Sequence, residues 1–177
     1  VLLFTFIVFL FLILNLKSPF LNPVHAQSLG LSVSPPISEI MIMPGKSVTQ
    51  TFKIGAEGIS GNAAIYIIPF TAQGEDGSVR LDEKNIVREG TPFASWFSIV
   101  SPVKKFGEKF FIPEGGAQDV VIGISPPENA EEKDYYFSLI YEVNPDLPGS
   151  IPASGPVNQA RIASNIIISV SGDGSPV

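Results

Sequence analysis

Residues 29–54 read LGLSVSPPISEIMIMPGKSVTQTFKI, and this stretch decides the fold. Two apolar runs flank Pro44-Gly45, a dipeptide that favours a tight turn. In residues 48–54, mostly apolar residues alternate with Thr49, Thr51 and Lys53. This period of two is typical of a strand with one face on a core and the other in water. The stretch therefore predicts the opening hairpin of a β-sandwich.

The first apolar run is interrupted by Ser34-Pro35-Pro36. Because proline cannot donate to a β-ladder, it belongs at a sheet edge or at a switch between sheets. We interpret residues 31–34 and 37–43 as the two halves of a broken edge strand. A partner's strand could pair with this open edge, and a proline at Ile40 is expected to block such pairing.

Downstream segments repeat the strand-and-turn pattern. The apolar run at 63–70 predicts a central strand, and Asp76-Gly77 predicts a hairpin turn at 73–78. We interpret that turn as solvated and not as a calcium loop, because it lacks the alternating oxygen ligands of an EF-hand. Residues 79–90 allow only a short strand or one helical turn. Further strands are predicted at 95–100, 118–127, 134–144 and 160–170.

Sixteen Pro and sixteen Gly also favour short strands over helices, so the predicted fold is all-β. Strand 134–144 has two faces: Tyr135, Phe137, Leu139, Tyr141 and Val143 on one, and Tyr136, Ser138, Ile140 and Glu142 on the other. We expect the only Trp to fill the core. The predicted core residues are Val48, Phe52, Ile54, Ile65, Ile67, Trp96, Val120, Ile122, Tyr135, Phe137, Leu139 and Tyr141.

The first 16 residues are apolar except for Thr5 and Asn15, and Lys17 follows them. This run is short for a stable membrane span and is typical of a signal peptide. The small residues in 24–26 predict cleavage before Gln27, and an uncleaved anchor is the alternative. The predicted organisation is a signal segment at 1–26, a sandwich at 27–171 and the start of a linker at 172–177. We expect a bacterial protein that is secreted or attached to the cell surface.

The composition argues against several functions. The net charge is −6, and without Lys17 ten basic residues face seventeen acidic ones, so nucleic acid is not an expected partner. The chain has no Cys, and its one histidine, His25, lies in the predicted leader. Paired carboxylates occur in polar loops that would not raise a pKa for acid–base chemistry. We therefore expect no enzyme, no catalytic residue, no metal and no cofactor.

The longest irregular segment, residues 144–158, contains four prolines and two glycines. Loops of this length in small domains are often functional or disordered. If the loop binds a ligand, its candidate binding residues are Asn144, Asp146, Leu147 and Ile151.

Four features together resemble the immunoglobulin-like pilus-chaperone superfamily: the SPP element before a Pro-Gly turn, the mid-chain Trp96, VVIGISPP and YYFSLIYEV. More narrowly, residues 29–171 resemble the N-terminal domain of bacterial WxL-interacting cell-surface proteins, a family described as peptidoglycan-binding. The resemblance implies an immunoglobulin-like antiparallel sandwich of about seven strands. Pilus chaperones hold a subunit's C-terminus with basic residues, one of them on the first strand. Residues 31–43 contain no Lys or Arg, which speaks against a role in pilus assembly.

These observations predict a non-enzymatic, exported binding or adhesion module whose partner is a cell-wall polymer or a surface protein. Its expected contact surfaces are the 144–158 loop and the edge of the first strand. A structural spacer and a chaperone-like protein that pairs strands are the alternatives. Membrane contact is expected only through the leader or through an anchor beyond residue 177.

Overall fold

The computed structural model describes residues 30–75, 77–145 and 159–172. Within these ranges the chain forms ten strands and one 3-10 turn. They are β1 (Gly30–Ser34), β2 (Ile37–Ile42), β3 (Val48–Glu57), β4 (Gly61–Gln73), β5 (Ser78–Leu81), the 3-10 turn (Glu83–Asn85), β6 (Phe97–Ser101), β7 (Phe110–Ile112), β8 (Ala117–Ile124), β9 (Lys133–Pro145) and β10 (Ala160–Val170). The all-β prediction is confirmed. There are more strands than the seven expected, because the first is divided in two and β5 and β7 are short additions.

The described strands form two sheets that pack face to face. A four-stranded sheet has the order β1-β3-β8-β6, and a six-stranded sheet has the order β2-β10-β9-β4-β5, with β7 also pairing with β4. The β10–β2 pair is parallel, and the other described pairs are antiparallel. The predicted leader at 1–26, with its cleavage point, lies outside the described residues.

The two halves of the first strand belong to different sheets. β1 pairs with β3, whereas β2 pairs with β10. At the crossing, Pro35 O accepts a hydrogen bond from Ser164 Oγ at 2.7 Å, and Pro36 O accepts one from Asn165 N at 2.9 Å. The prolines therefore mark a switch between sheets, and each half of the strand lies at a sheet edge, as the sequence predicted.

The prediction that β2 and β3 form an opening hairpin is wrong. A turn does form at Pro44-Gly45, where Lys46 N donates to Met43 O at 3.1 Å and Gly45 adopts a φ of 72°. However, β2 and β3 lie in different sheets and do not pair. Because the preceding prolines have already moved the chain to the six-stranded sheet, the turn links the two sheets, and β3 pairs with β1 instead.

The hairpin predicted at 73–78 is present, with Gln73 opposite Ser78 in the β4–β5 pair. Beyond β5, the outer edge of β4 stays covered by hydrogen bonds from other segments. Asp82 N donates to Pro69 O at 2.8 Å, Val87 N to Ile67 O at 2.8 Å and Gly107 N to Ile65 O at 2.9 Å. β7 then pairs with the start of β4. The part of β4 beyond β5 is therefore covered, and β5 and β2 are the strands at the two ends of the described sheet.

The core lies between the sheets. Ten of the twelve predicted core residues are buried, and Tyr135 is partly buried against them. Val48 does not belong to the core: it is the first residue of β3, at the rim of the sandwich, and 37% of it is exposed. Trp96, with 5% of its surface exposed, packs edge-on against Phe93 and Tyr135, with ring centroids 5.4 and 4.6 Å away. Trp96 therefore fills the core instead of presenting a binding surface.

Candidate functional site

The outer face of the six-stranded sheet, which points away from the core, is the main candidate site. β9 alternates across this sheet: Phe137 and Leu139 belong to the core, and Tyr136, Ser138, Ile140 and Glu142 belong to the outer face. Of these four, Tyr136 is exposed and the other three are buried. The register places Ile140 between Tyr66 on β4 and Ala163 on β10. Apolar side chains therefore occupy part of a face that in many antiparallel sheets is polar, next to the hydrogen-bonded pair Ser138–Asn165.

One end of the outer face forms a depression of about 530 Å³, a volume within the range of ligand sites. Its lining comes from β4, β9 and β10, together with the end of β5 and the residues that follow it. The lining residues are Tyr66, Ile68, Leu81, Glu83, Ile86, Ile140, Glu142, Arg161, Ile162 and Ala163. A mainly apolar surface with a few charged groups can receive an apolar group and orient a polar one.

Glu142 is the most buried charge in this depression, with 10% of its side chain exposed, whereas 56% of the Arg161 side chain is exposed. Glu142 Oε2 accepts hydrogen bonds from Arg161 Nε at 2.8 Å and Nη2 at 2.7 Å. Gln159 Nε2 donates to Glu142 Oε1 at 3.3 Å. Both carboxylate oxygens are therefore satisfied, and Arg161 keeps further donors for a ligand.

The opposite end of the outer face lies beside β2. A second depression, of about 450 Å³, is lined by Glu39, Ile40, Met41, Asp134, Tyr136, Ile167 and Ser169. Tyr136 is 42% exposed, and its ring centroid lies 5.7 Å from that of Phe70. Asp134 Oδ1 accepts a hydrogen bond from Ser169 Oγ at 2.5 Å. This end therefore combines apolar side chains with two carboxylates.

The backbone of β2 has a defined free side. Asn165 N donates to Pro36 O, and Ser171 N donates to Ile42 O at 3.2 Å. In a parallel ladder, the backbone N–H and C=O groups of every second residue bond to the same neighbouring strand. The backbone groups of the even-numbered residues of β2 therefore point towards β10. The odd residues Ile37, Glu39 and Met41 therefore direct their N–H and C=O groups away from the sheet. A proline at Ile40, expected from the sequence to block the edge, would instead disrupt the β2–β10 ladder.

The loop residues predicted to bind a ligand are only partly described. Asn144 lies near the end of β9, opposite Asn62 of β4, and is partly buried. Asp146, Leu147 and Ile151 lie outside the described residues. The depression with Glu142 lies on the two strands that this loop joins. The sequence alternation placed Glu142 on the face of its strand opposite Tyr141. Nothing in the sequence around Glu142 or Arg161 predicted that the two residues pair.

Two features are absent from the described residues: a cluster of metal ligands and a membrane-spanning helix. Across 30–75, 77–145 and 159–172, no three His, Cys, Asp or Glu side chains converge in a way that could hold a metal ion. No helix within the same ranges is long and apolar enough to cross a membrane.

The comparisons with known proteins identify the fold. No protein-family model matches the sequence, and no curated protein sequence matches it significantly. Among solved structures, the ASH/PapD-like domain 7 of human CEP192 matches 89% of this chain and 94% of that chain, with a TM-score of 0.51 and 14% identity. The class that this likeness defines is the immunoglobulin-like β-sandwich of the PapD type, so the coarser predicted resemblance is confirmed at the level of fold.

Two chaperones of known structure are more distant. The class 5 fimbriae chaperone CfaA matches 80% of this chain at 13% identity, and the E. coli chaperone DraB matches 81% at 10% identity, each with a TM-score of 0.47. This chain spans 57% and 56% of those two proteins.

Proposed function

We propose that the protein is a non-enzymatic, extracytoplasmic binding module that contacts a surface protein or a cell-wall polymer through the outer face of its six-stranded sheet. The observation that carries this proposal is the pair of depressions on the outer face, one lined by Tyr66 and Ile140 and the other by Tyr136 and Met41. The hydrogen-bonded pair Ser138–Asn165 lies between them. Ile37, Met41 and Tyr136 expose 54%, 55% and 42% of their surfaces at the β2 end of this face. Clustered exposed apolar side chains mark an interaction site more often than single ones do.

The chemistry of the face supports binding over catalysis. The most buried carboxylate in the larger depression, that of Glu142, is held by Arg161 and Gln159. A general base needs a carboxylate that is free to take a proton from a substrate. The described residues contain no His or Cys that could act as a nucleophile or base.

The location outside the cytoplasm rests on the apolar segment at 1–16 and on the predicted cleavage before Gln27. The narrower resemblance to WxL-interacting proteins favours a cell-wall polymer as partner. The chaperone-like alternative favours a protein, because the open β2 edge offers backbone groups to a strand. A structural spacer is the remaining alternative, and it predicts no saturable ligand.

Binding assays with matched variants test the proposal. The full chain is titrated against purified cell wall and, separately, against purified membrane proteins from the same bacterium. We expect saturable binding that Tyr136→Ser weakens and that Val100→Ser leaves unchanged. Val100 is a fair control because it is 51% exposed but lies on β6, in the four-stranded sheet. If the chain melts cooperatively but retains neither material, a structural spacer is the better explanation of its function.

A further inference from the structure

We propose that the partner of the β2 edge is an extended polypeptide segment that carries a Lys or Arg opposite Glu39, with apolar residues two positions to either side. This inference rests on the proposed function and identifies the chemical class of the partner at one part of the outer face. It follows from the backbone geometry of β2, from the side chains beside it and from their charge.

The backbone of β2 offers a short, regular edge. Ile37, Glu39 and Met41 present three N–H and three C=O groups that do not face β10. Other edges of the described sandwich are less suitable. β6 has an irregular register between Ile99 and Ser101, which disturbs an edge for pairing, and the outer side of β4 is already bonded. β1 and β5 also lie at sheet edges, but β2 is the described edge strand that carries two large exposed apolar side chains, Ile37 and Met41. An added strand therefore fits best at β2.

The side chains on the same residues determine what such a strand must carry. Ile37 and Met41 are 54% and 55% exposed, and Glu39 lies between them. Residues directly opposite each other on neighbouring strands interact through their side chains. The partner therefore needs an apolar, a basic and an apolar residue at alternate positions.

The charge around Glu39 points to a basic residue. The register aligns Glu39 with Ile167 and Tyr136, which bring no charge of their own. The adjoining depression contains a second carboxylate, Asp134, and no Lys or Arg among its described lining residues. Because the predicted mature chain is also acidic overall, a cation from the partner would relieve the negative potential at this edge.

A charged residue on an edge strand also discourages aggregation, and this is the alternative explanation of Glu39. The two explanations differ in charge specificity. Protection against aggregation requires only a charge of either sign, whereas recognition requires the partner's charge to be opposite.

A charge-swap experiment tests the inference. The probes are the synthetic peptides acetyl-TVTKTVT-amide and acetyl-TVTETVT-amide, and the full chain is titrated with each by NMR or fluorescence. We expect the lysine peptide to bind the native chain about threefold to tenfold more tightly than the glutamate peptide. Glu39→Lys should reverse this preference. Glu39→Pro should abolish binding of both peptides while leaving the fold intact, because the Glu39 N–H does not bond to β10.

Equal binding of the two peptides by the native chain, or unchanged binding by Glu39→Pro, would overturn the inference. The proposed function would survive that result if Tyr136→Ser still weakened binding to the natural material. If instead Glu39→Pro and Tyr136→Ser both leave that binding unchanged, the proposed function fails as well.

Discussion

Tyr141 is predicted to destabilise the protein through its hydroxyl group. It lies on β9 with 1% of its surface exposed, and its ring packs against Phe110 with centroids 6.1 Å apart. Its hydroxyl has no hydrogen-bond partner among the described residues. Burial of a hydroxyl without a partner costs about 1–3 kcal/mol, so Tyr141→Phe should raise the free energy of unfolding by about 1 kcal/mol or more.

The same substitution should change the response to alkaline pH. Burial raises the pKa of Tyr141 to about 12, from 10.0. Because the folded state favours the neutral phenol, this contribution to stability is intact below pH 10 and is lost as the pH rises through 12. The native chain should therefore lose more stability than Tyr141→Phe between pH 10 and pH 12, and their stabilities should run parallel below pH 9.

Urea unfolding followed by the fluorescence of Trp96, the only Trp in the chain, measures both effects. Tyr135→Phe is the matched control, because the Tyr135 hydroxyl donates to Glu131 O at 3.1 Å. That variant should be neutral or slightly less stable. A loss of stability of about 1 kcal/mol or more in Tyr141→Phe would refute the reasoning, because it would mean that the hydroxyl is hydrogen-bonded in the native state.

Three further predictions, made with five variants, test the fold and the site by urea unfolding. Arg161→Met should lower the free energy of unfolding by about 1–3 kcal/mol, because it leaves the Glu142 carboxylate buried with one weak donor. Glu142→Gln should lower it less, and the reverse order would contradict the Glu142–Arg161 pairing. Gly45→Ala should cost about 1–2 kcal/mol, because its φ is 72° and a Cβ would lie 2.8 Å from Glu128 Cγ. Ile40→Pro should destabilise the chain more than Glu39→Pro does, and equal losses would contradict the assigned direction of the backbone groups.

The sequence predicted the features that depend on local pattern. Alternation in β3 and β9 indicated most of the residues that face the core, and Asp76-Gly77 indicated the β4–β5 hairpin. The alternation did not indicate that Ser138, Ile140 and Glu142, on the other face of β9, are buried as well. The Pro35-Pro36 pair indicated a broken strand at a sheet edge or at a switch between sheets, and the structure shows both. These signals are local because backbone geometry sets both the period of a strand and the restrictions on proline.

Features that depend on which strands become neighbours were not predictable in the same way. The Pro44-Gly45 turn is compatible with a hairpin and with a link between sheets, and only the position of β2 beside β10 decides between them. The direction of the Ile40 backbone groups likewise depends on that register. Glu142 and Arg161 are separated by the 146–158 segment, so no sequence spacing marks them as a pair.

The outer face of the six-stranded sheet is the proposed binding surface for a partner. The most direct measurement is a binding isotherm of the native chain, Tyr136→Ser and Val100→Ser against the cell-wall or membrane-protein fraction that retains the native chain. We predict that Tyr136→Ser weakens binding by about tenfold, as expected for loss of a central aromatic contact, while Val100→Ser matches the native chain. Equal affinities for all three proteins, each with an unchanged cooperative melt, would contradict the claim.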